Sequence, residues 1–207
     1  MWAHLLCLQC EERLNKLGET YMLKFLDNGK EFPLLERMTL ALTLKVGDKT
    51  TIYSGSAMGI DTDALAHFAL GFLWKGSCRK WETLERQTTF IKLGTYREGI
   101  RKYLLGKSGF PDGIYVVVTA CEDKGSRGTV FPPAKVTGSL YPMYSILVRG
   151  IRFLIVTEKK GNLSLRQLCC VQSDKKLLHL RDCHKEFVEA GRYLHESATV
   201  SPELGGR

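Results

Sequence analysis

The chain has 207 residues, 44% apolar and 25% charged, with 6 Pro and 20 Gly; this balance excludes fibrous, low-complexity and disordered classes and suffices for one large domain or two small ones. Lys and Arg number 30 against 22 acidic residues, a net +8 that favours polyanionic partners but says nothing of fold. The longest apolar stretch, Phe68 to Trp74, is far shorter than the roughly 20 residues of a bilayer span, and no signal-peptide pattern is seen, so a cytoplasmic location is expected.

The first chemical feature is Cys7-Leu8-Gln9-Cys10. Two residues between thiols let both sulfurs face one side of a tight turn, as tetrahedral zinc requires, so Cys7 and Cys10 are candidate zinc ligands. They make half a site. His4 is a further nitrogen donor nearby, and the other Cys/His pattern, Cys183-His184, lies far along the chain. A redox role is disfavoured because no strand precedes the pair. An odd count of 7 cysteines, with Cys169 and Cys170 adjacent, argues against a disulfide framework; Cys78, Cys121, Cys169 and Cys170 read as small buried side chains.

Leu14, Leu17, Tyr21, Met22, Phe25 and Leu26 recur at three- and four-residue spacing, which predicts an amphipathic helix over residues 11–27, stopped by Asp27-Asn28-Gly29. Pro33 and Leu34 open a shorter helical turn. Leu40, Leu42, Leu44 and Val46 alternate with less apolar residues and predict a strand, reversed at Gly47-Asp48 into Thr50 to Tyr53 as a hairpin. Asp61 or Thr62 caps a helix whose Ala64, Leu65, Phe68, Ala69, Phe72 and Leu73 form a broad apolar stripe, placing it at the centre of the molecule. His67 in that stripe reads as a buried histidine rather than a catalytic one.

Thr95 to Leu105 reads as a helix with Ile100, Tyr103 and Leu104 inward. Ile114 to Ala120 is a continuous β-branched strand and Gly125 to Pro133 a long polar loop. Tyr144 to Val148 and Ile151 to Thr157, joined by Arg149-Gly150, form the clearest hairpin. Leu163 to Val171 is expected as an edge strand, Asp182 to Glu196 as a terminal helix, and 197–207 as a frayed tail.

Charge is segregated along the chain. Residues 1–74 carry 7 basic and 9 acidic side chains, whereas residues 75–107 carry 9 against 3. Lys75, Arg79, Lys80, Arg97, Arg101 and Lys102 in this basic region are the candidate nucleic-acid contacts, since each phosphate neutralised by Lys or Arg releases counterions. Solvated helix faces explain the same charges without a ligand. No phosphate loop, dinucleotide fingerprint or His-Glu-x-x-His occurs, and no acid/base pair is evident.

Three stretches together resemble a group of bacterial HNH-endonuclease-like proteins. They are Leu5-Leu6-Cys7-Leu8-Gln9-Cys10-Glu11-Glu12-Arg13-Leu14 with Glu19 and Tyr21 following, Phe68 to Lys75, and Lys92-Leu93-Gly94 through Arg101. The resemblance covers about the first 110 residues. It implies that Cys7 and Cys10 complete a treble-clef-like zinc site whose other thiol pair, with a catalytic histidine, stands upstream. This sequence departs from that pattern at its start, because Met1 falls six residues before Cys7: either the chain begins late or it has lost the catalytic half. Histidine-activated, metal-assisted hydrolysis is thus not supported, and no catalytic residue carries over.

The resulting expectation is an α+β protein with an N-terminal thiol turn and helix, and central apolar and basic helices on a small, mainly antiparallel sheet. Residues 1–30 form a partial zinc-knuckle-like segment and helix, residues 31–196 the α+β domain. DNA or RNA is the expected partner, with a homodimer as a route to four zinc ligands. The alternative is a catalytically inert interaction or scaffold domain with free thiols.

Overall fold

The computed structural model describes residues 7–46, 48–78, 81–82, 88–89, 91–158 and 163–188, the side chains at 81, 82, 88 and 89 excepted. Helix α1 (Leu8–Leu14) starts at the thiol turn, passes through a π-helical turn over Asn15–Glu19 and continues as α2 (Thr20–Met22). Leu14, Met22 and Phe25 are buried as their spacing predicts, but Leu17 is 45% exposed. The wider π turn inserts residues into the helical circuit and rotates Leu17 off the inner face. Gly18, inside that turn, lies directly against the backbone of the central helix at Phe68.

Helix α3 (Pro33–Leu40) begins with Pro at its first position, where the missing N–H costs nothing. Strands β1 (Thr43–Val46) and β2 (Thr51–Ser54) form the expected hairpin. Its apolar alternation, however, faces solvent: Leu40, Leu42, Leu44 and Val46 are all exposed, because β1 is the outermost strand of the sheet. Asp61 caps α4 (Thr62–Gly76) by accepting from the Ala64 N–H at 3.0 Å. A small ladder, β3 (Trp81–Glu82) with β4 (Thr88–Thr89), precedes α5 (Tyr96–Leu104), whose Ile100 and Leu104 are buried.

The main sheet continues with β5 (Ile114–Cys121), β6 (Val130–Val136), β7 (Met143–Val148), β8 (Ile151–Thr157) and β9 (Leu177–Arg181), with the short helices α6 (Lys124–Arg127) and α7 (Leu163–Leu168) between them. The strand order is β1-β2-β9-β5-β8-β7-β6, antiparallel throughout except for the parallel pair β5–β9. The class is α+β. No helix among the described residues is long and apolar enough to cross a membrane.

Alternation along β5 explains its unbroken apolar sequence. Ile114, Val116, Val118 and Ala120 join the main core with α4, whereas Tyr115 and Cys121 belong to clusters on the opposite face. A strand covered on both faces reads as continuously apolar. Leu14, Met22 and Phe25 share that main core with Leu65, Leu70, Leu73 and Phe153, so the N-terminal helix is built into it. The β7–β8 turn has positive φ at Arg149 (41°) and Gly150 (87°), as a two-residue primed turn requires.

Two segments differ from their sequence expectation. The stretch expected as a polar loop contains α6, capped by Asp123, and edge strand β6, which tolerates Pro132 and Pro133 through a register shift between Phe131 and Ala134. The stretch expected as an edge strand is α7. Leu163 to Cys170 contains no β-branched residue, and both sheet edges are already taken by β1 and β6. Residues 184–188 are helical, in line with the expected terminal helix; its remainder and the tail lie outside the described residues.

Candidate functional site

Two clusters outside the ordinary core carry chemistry. The first is the thiol turn. Cys7 precedes α1 in an extended conformation, and its carbonyl accepts from the Glu11 N–H at 3.0 Å. Chain reversal into the helix brings the Cys7 and Cys10 sulfurs to 3.2 Å, with Cys7 exposed and Cys10 half-buried. The hydrogen bond shared with Cys10 holds the Cys7 thiol below the usual thiol range, and the same bond together with burial pushes Cys10 up. Among the described residues no third Cys, His, Asp or Glu joins the pair into a metal-binding group; His4 lies outside them.

The end of α5 lies beside this turn. Arg101 and Lys107 are close enough to Cys10 to favour its thiolate, and the Arg13 guanidinium of α1 lies against Gly106. Arg97 and Lys102 are exposed on the same short helix. Arg101 makes a two-point ion pair with Glu98, at 2.7 and 2.8 Å, and an exposed pair of this kind is weak enough to yield to a competing anion. Lys75, by contrast, is committed to the fold: its Nζ lies 2.6 Å from Glu19 and ties the end of α4 to the π turn. Arg79 and Lys80 lie outside the described residues. The structure thus gathers Cys7, Cys10 and Arg101, with Arg13 and Lys107 added; the sequence offered no spacing that would have joined Arg13 to Lys107.

The second cluster stands at the carboxyl ends of the parallel strands β5 and β9. Cys121, Asp123 and Cys183 place their ligating atoms within 4.8 Å of one another and are the group among the described residues that can hold a metal ion. Cys121 and Cys183 are buried beside Leu147, Phe131 and Phe187, and Asp123 accepts from both the N–H and the hydroxyl of Ser126. A hydrogen bond with Cys183, then burial, pushes the Cys121 thiol far up. Cys121 is a small buried side chain, as expected from sequence, but nothing in the spacing of Cys121 and Cys183 announces the parallel pairing that joins them. A polar cleft of about 470 Å³ adjoins these strand ends, lined by Asp48, Lys49, Glu122, Arg181, Asp182 and Glu186 among others.

Other thiols and imidazoles are buried as well. Burial pushes Cys169 up to about 12 and raises Cys170 as well, leaving both inert as nucleophiles. His67 is buried with its ring 5.7 Å from that of Tyr103, and His179 is buried with Nε2 2.9 Å from the Leu168 carbonyl. Burial holds both imidazoles below their ordinary value of 6.5. The unfolded chain therefore takes up these protons first on acidification. Folding stability is expected to be level above about pH 7 and to fall as pH drops through about 6.5, by up to ~1.4 kcal/mol per pH unit for each histidine. Urea unfolding between pH 8 and pH 5 checks this, and a rise in stability on acidification would contradict it.

No family model, curated protein or solved structure matches the chain. The class is therefore set by fold and chemistry alone: an α+β protein with a dithiol turn beside a basic helix on one side and a buried thiol–carboxylate group at the sheet's carboxyl ends.

Proposed function

We propose that this chain is a nucleic-acid-binding protein related to the HNH-like nucleases it resembles. Phosphates are met by the α5 face next to the thiol turn. The observation that carries this reading is the convergence of Arg101 and Lys107 on Cys10, with Arg97 and Lys102 exposed on the same helix. These are cations that the fold leaves to solvent or to a weak exposed pair, unlike Lys75. In this reading Cys7 and Cys10 act as two zinc ligands, and a second copy of the chain supplies the other two.

Fluorescence anisotropy with duplex DNA and with single-stranded RNA, over about 50 to 200 mM salt, tests the proposal. Binding should weaken steeply with salt. Replacing Arg101, Lys102 and Lys107 together by Ala should lower the slope of log affinity against log salt by roughly 2 to 3 on duplex DNA, about 0.9 for each lost phosphate contact. A salt-independent response, or a triple variant that binds like the parent, removes the reading.

One observation favours the interaction-domain alternative. Leu40, Leu42, Leu44 and Val46 form an exposed apolar row on the outermost strand and the helix end before it. Such a row suits a protein partner. Absence of nucleic-acid binding at the lowest salt leaves this second reading in its place.

A further inference from the structure

The pair β5–β9 is the one place in the main sheet where neighbouring strands run the same way, so both chains leave the sheet at the same edge. Cys121 is in register with Arg181, and side chains alternate along each chain. The second residue onward in either chain therefore returns to the same side: Asp123 after Cys121, and Cys183 after Arg181. The intervening Glu122 and Asp182 are exposed and line the adjoining cleft. Three potential ligands separated widely in sequence are thus brought together by strand pairing alone.

We propose that Cys121, Asp123 and Cys183 bind a divalent cation of the zinc class through two thiolates and one carboxylate. Zinc bonds of about 2.3 Å to sulfur set the edge of a tetrahedral site near 3.7 Å, and the three donor atoms already lie within 4.8 Å of one another. Closing the site needs shifts of roughly 1 Å or less. Phe131, Leu147 and Phe187 pack against the two buried thiols, forming a dry wall. The Ser126 N–H and hydroxyl hold the Asp123 carboxylate in place, the kind of outer support that metal-ligating carboxylates have. Three protein ligands leave the fourth position to water.

Charge balance favours occupation. Nearby, the guanidinium groups of Arg152 and Arg181 pair with the Glu186 carboxylate at 3.4 and 2.5 Å. The two thiolates form as the ion enters, any thiol proton passing to solvent, so the ion's two positive charges are matched by two thiolate charges. Both sulfurs remain at the same oxidation level. Affinity should therefore rise with pH.

The test uses the full-length chain carrying Cys7→Ser and Cys10→Ser, so that the N-terminal pair contributes nothing and the outcome is independent of the nucleic-acid reading. Zinc and cobalt(II) are added alone. One metal per chain is expected, with cobalt giving a thiolate charge-transfer band in the near ultraviolet and tetrahedral bands in the visible. Cys183→Ser should abolish these bands. Asp123→Asn preserves the helix cap, as Asn caps as well as Asp, and should weaken metal binding at least about tenfold; it decides the matter if the serine variant does not fold. No thiolate band in the parent, bands unchanged in Asp123→Asn, or a Cys121–Cys183 disulfide in the purified chain would overturn the proposal.

Discussion

Phe153→Ala is expected to destabilise the protein by about 3 to 5 kcal/mol, a large part of the 5 to 15 kcal/mol available to a typical fold. Phe153 is fully buried in β8, in register with Val118 on one side and Ile146 on the other. Its ring lies 5.5 Å from that of Phe68 on α4, so it joins the sheet to the helix layer. Truncation leaves a cavity at this junction that the paired strands cannot close by moving. For a chain of this size the melting temperature should drop by roughly 6 to 20 °C. A loss under about 1 kcal/mol in urea titration would show that the sheet–helix junction is not the centre of stability.

Gly18→Ala provides a test of sign. In an ordinary helix this change is favourable by about 1 kcal/mol. Here a β-carbon would sit 2.7 Å from the Phe68 nitrogen and 2.9 Å from its Cα, both backbone atoms in the middle of α4. Neither can turn aside, so the helices must separate. Overpacking of this kind costs about 1 to 3 kcal/mol, and net destabilisation is expected. The same displacement would move α1, and with it the thiol turn, relative to α5. Weaker nucleic-acid binding alongside lowered stability is therefore the expected pair of results, measured by thermal melting and by anisotropy on the same samples. A more stable Gly18→Ala protein would show that the close approach of the two helices is absent in solution.

The two clusters give the molecule distinct chemistries at separate places. At the thiol turn, exposure and the hydrogen bond shared with Cys10 favour ionisation of the Cys7 thiol. At the strand ends, the hydrogen bond with Cys183 and burial favour the protonated Cys121 thiol. A metal analysis of the parent chain and of the two sets of cysteine variants therefore reports on both without confusing them.

Local pattern determined much of this protein. The capped apolar helix at Asp61, the primed turn at Arg149-Gly150, the β-branched strand from Ile114 and the turn-forming thiol spacing are all interactions between near neighbours, and near neighbours are legible in order along a chain. Tertiary structure decided the rest. Pro132 and Pro133 enter a strand only because β6 lies at an edge, and the apolar alternation of Leu40 to Val46 faces solvent only because β1 lies at the other. Arg101 comes near Cys10, and Cys121 comes beside Cys183, through helix packing and parallel strand pairing, between residues whose separation in sequence carries no trace of their separation in space.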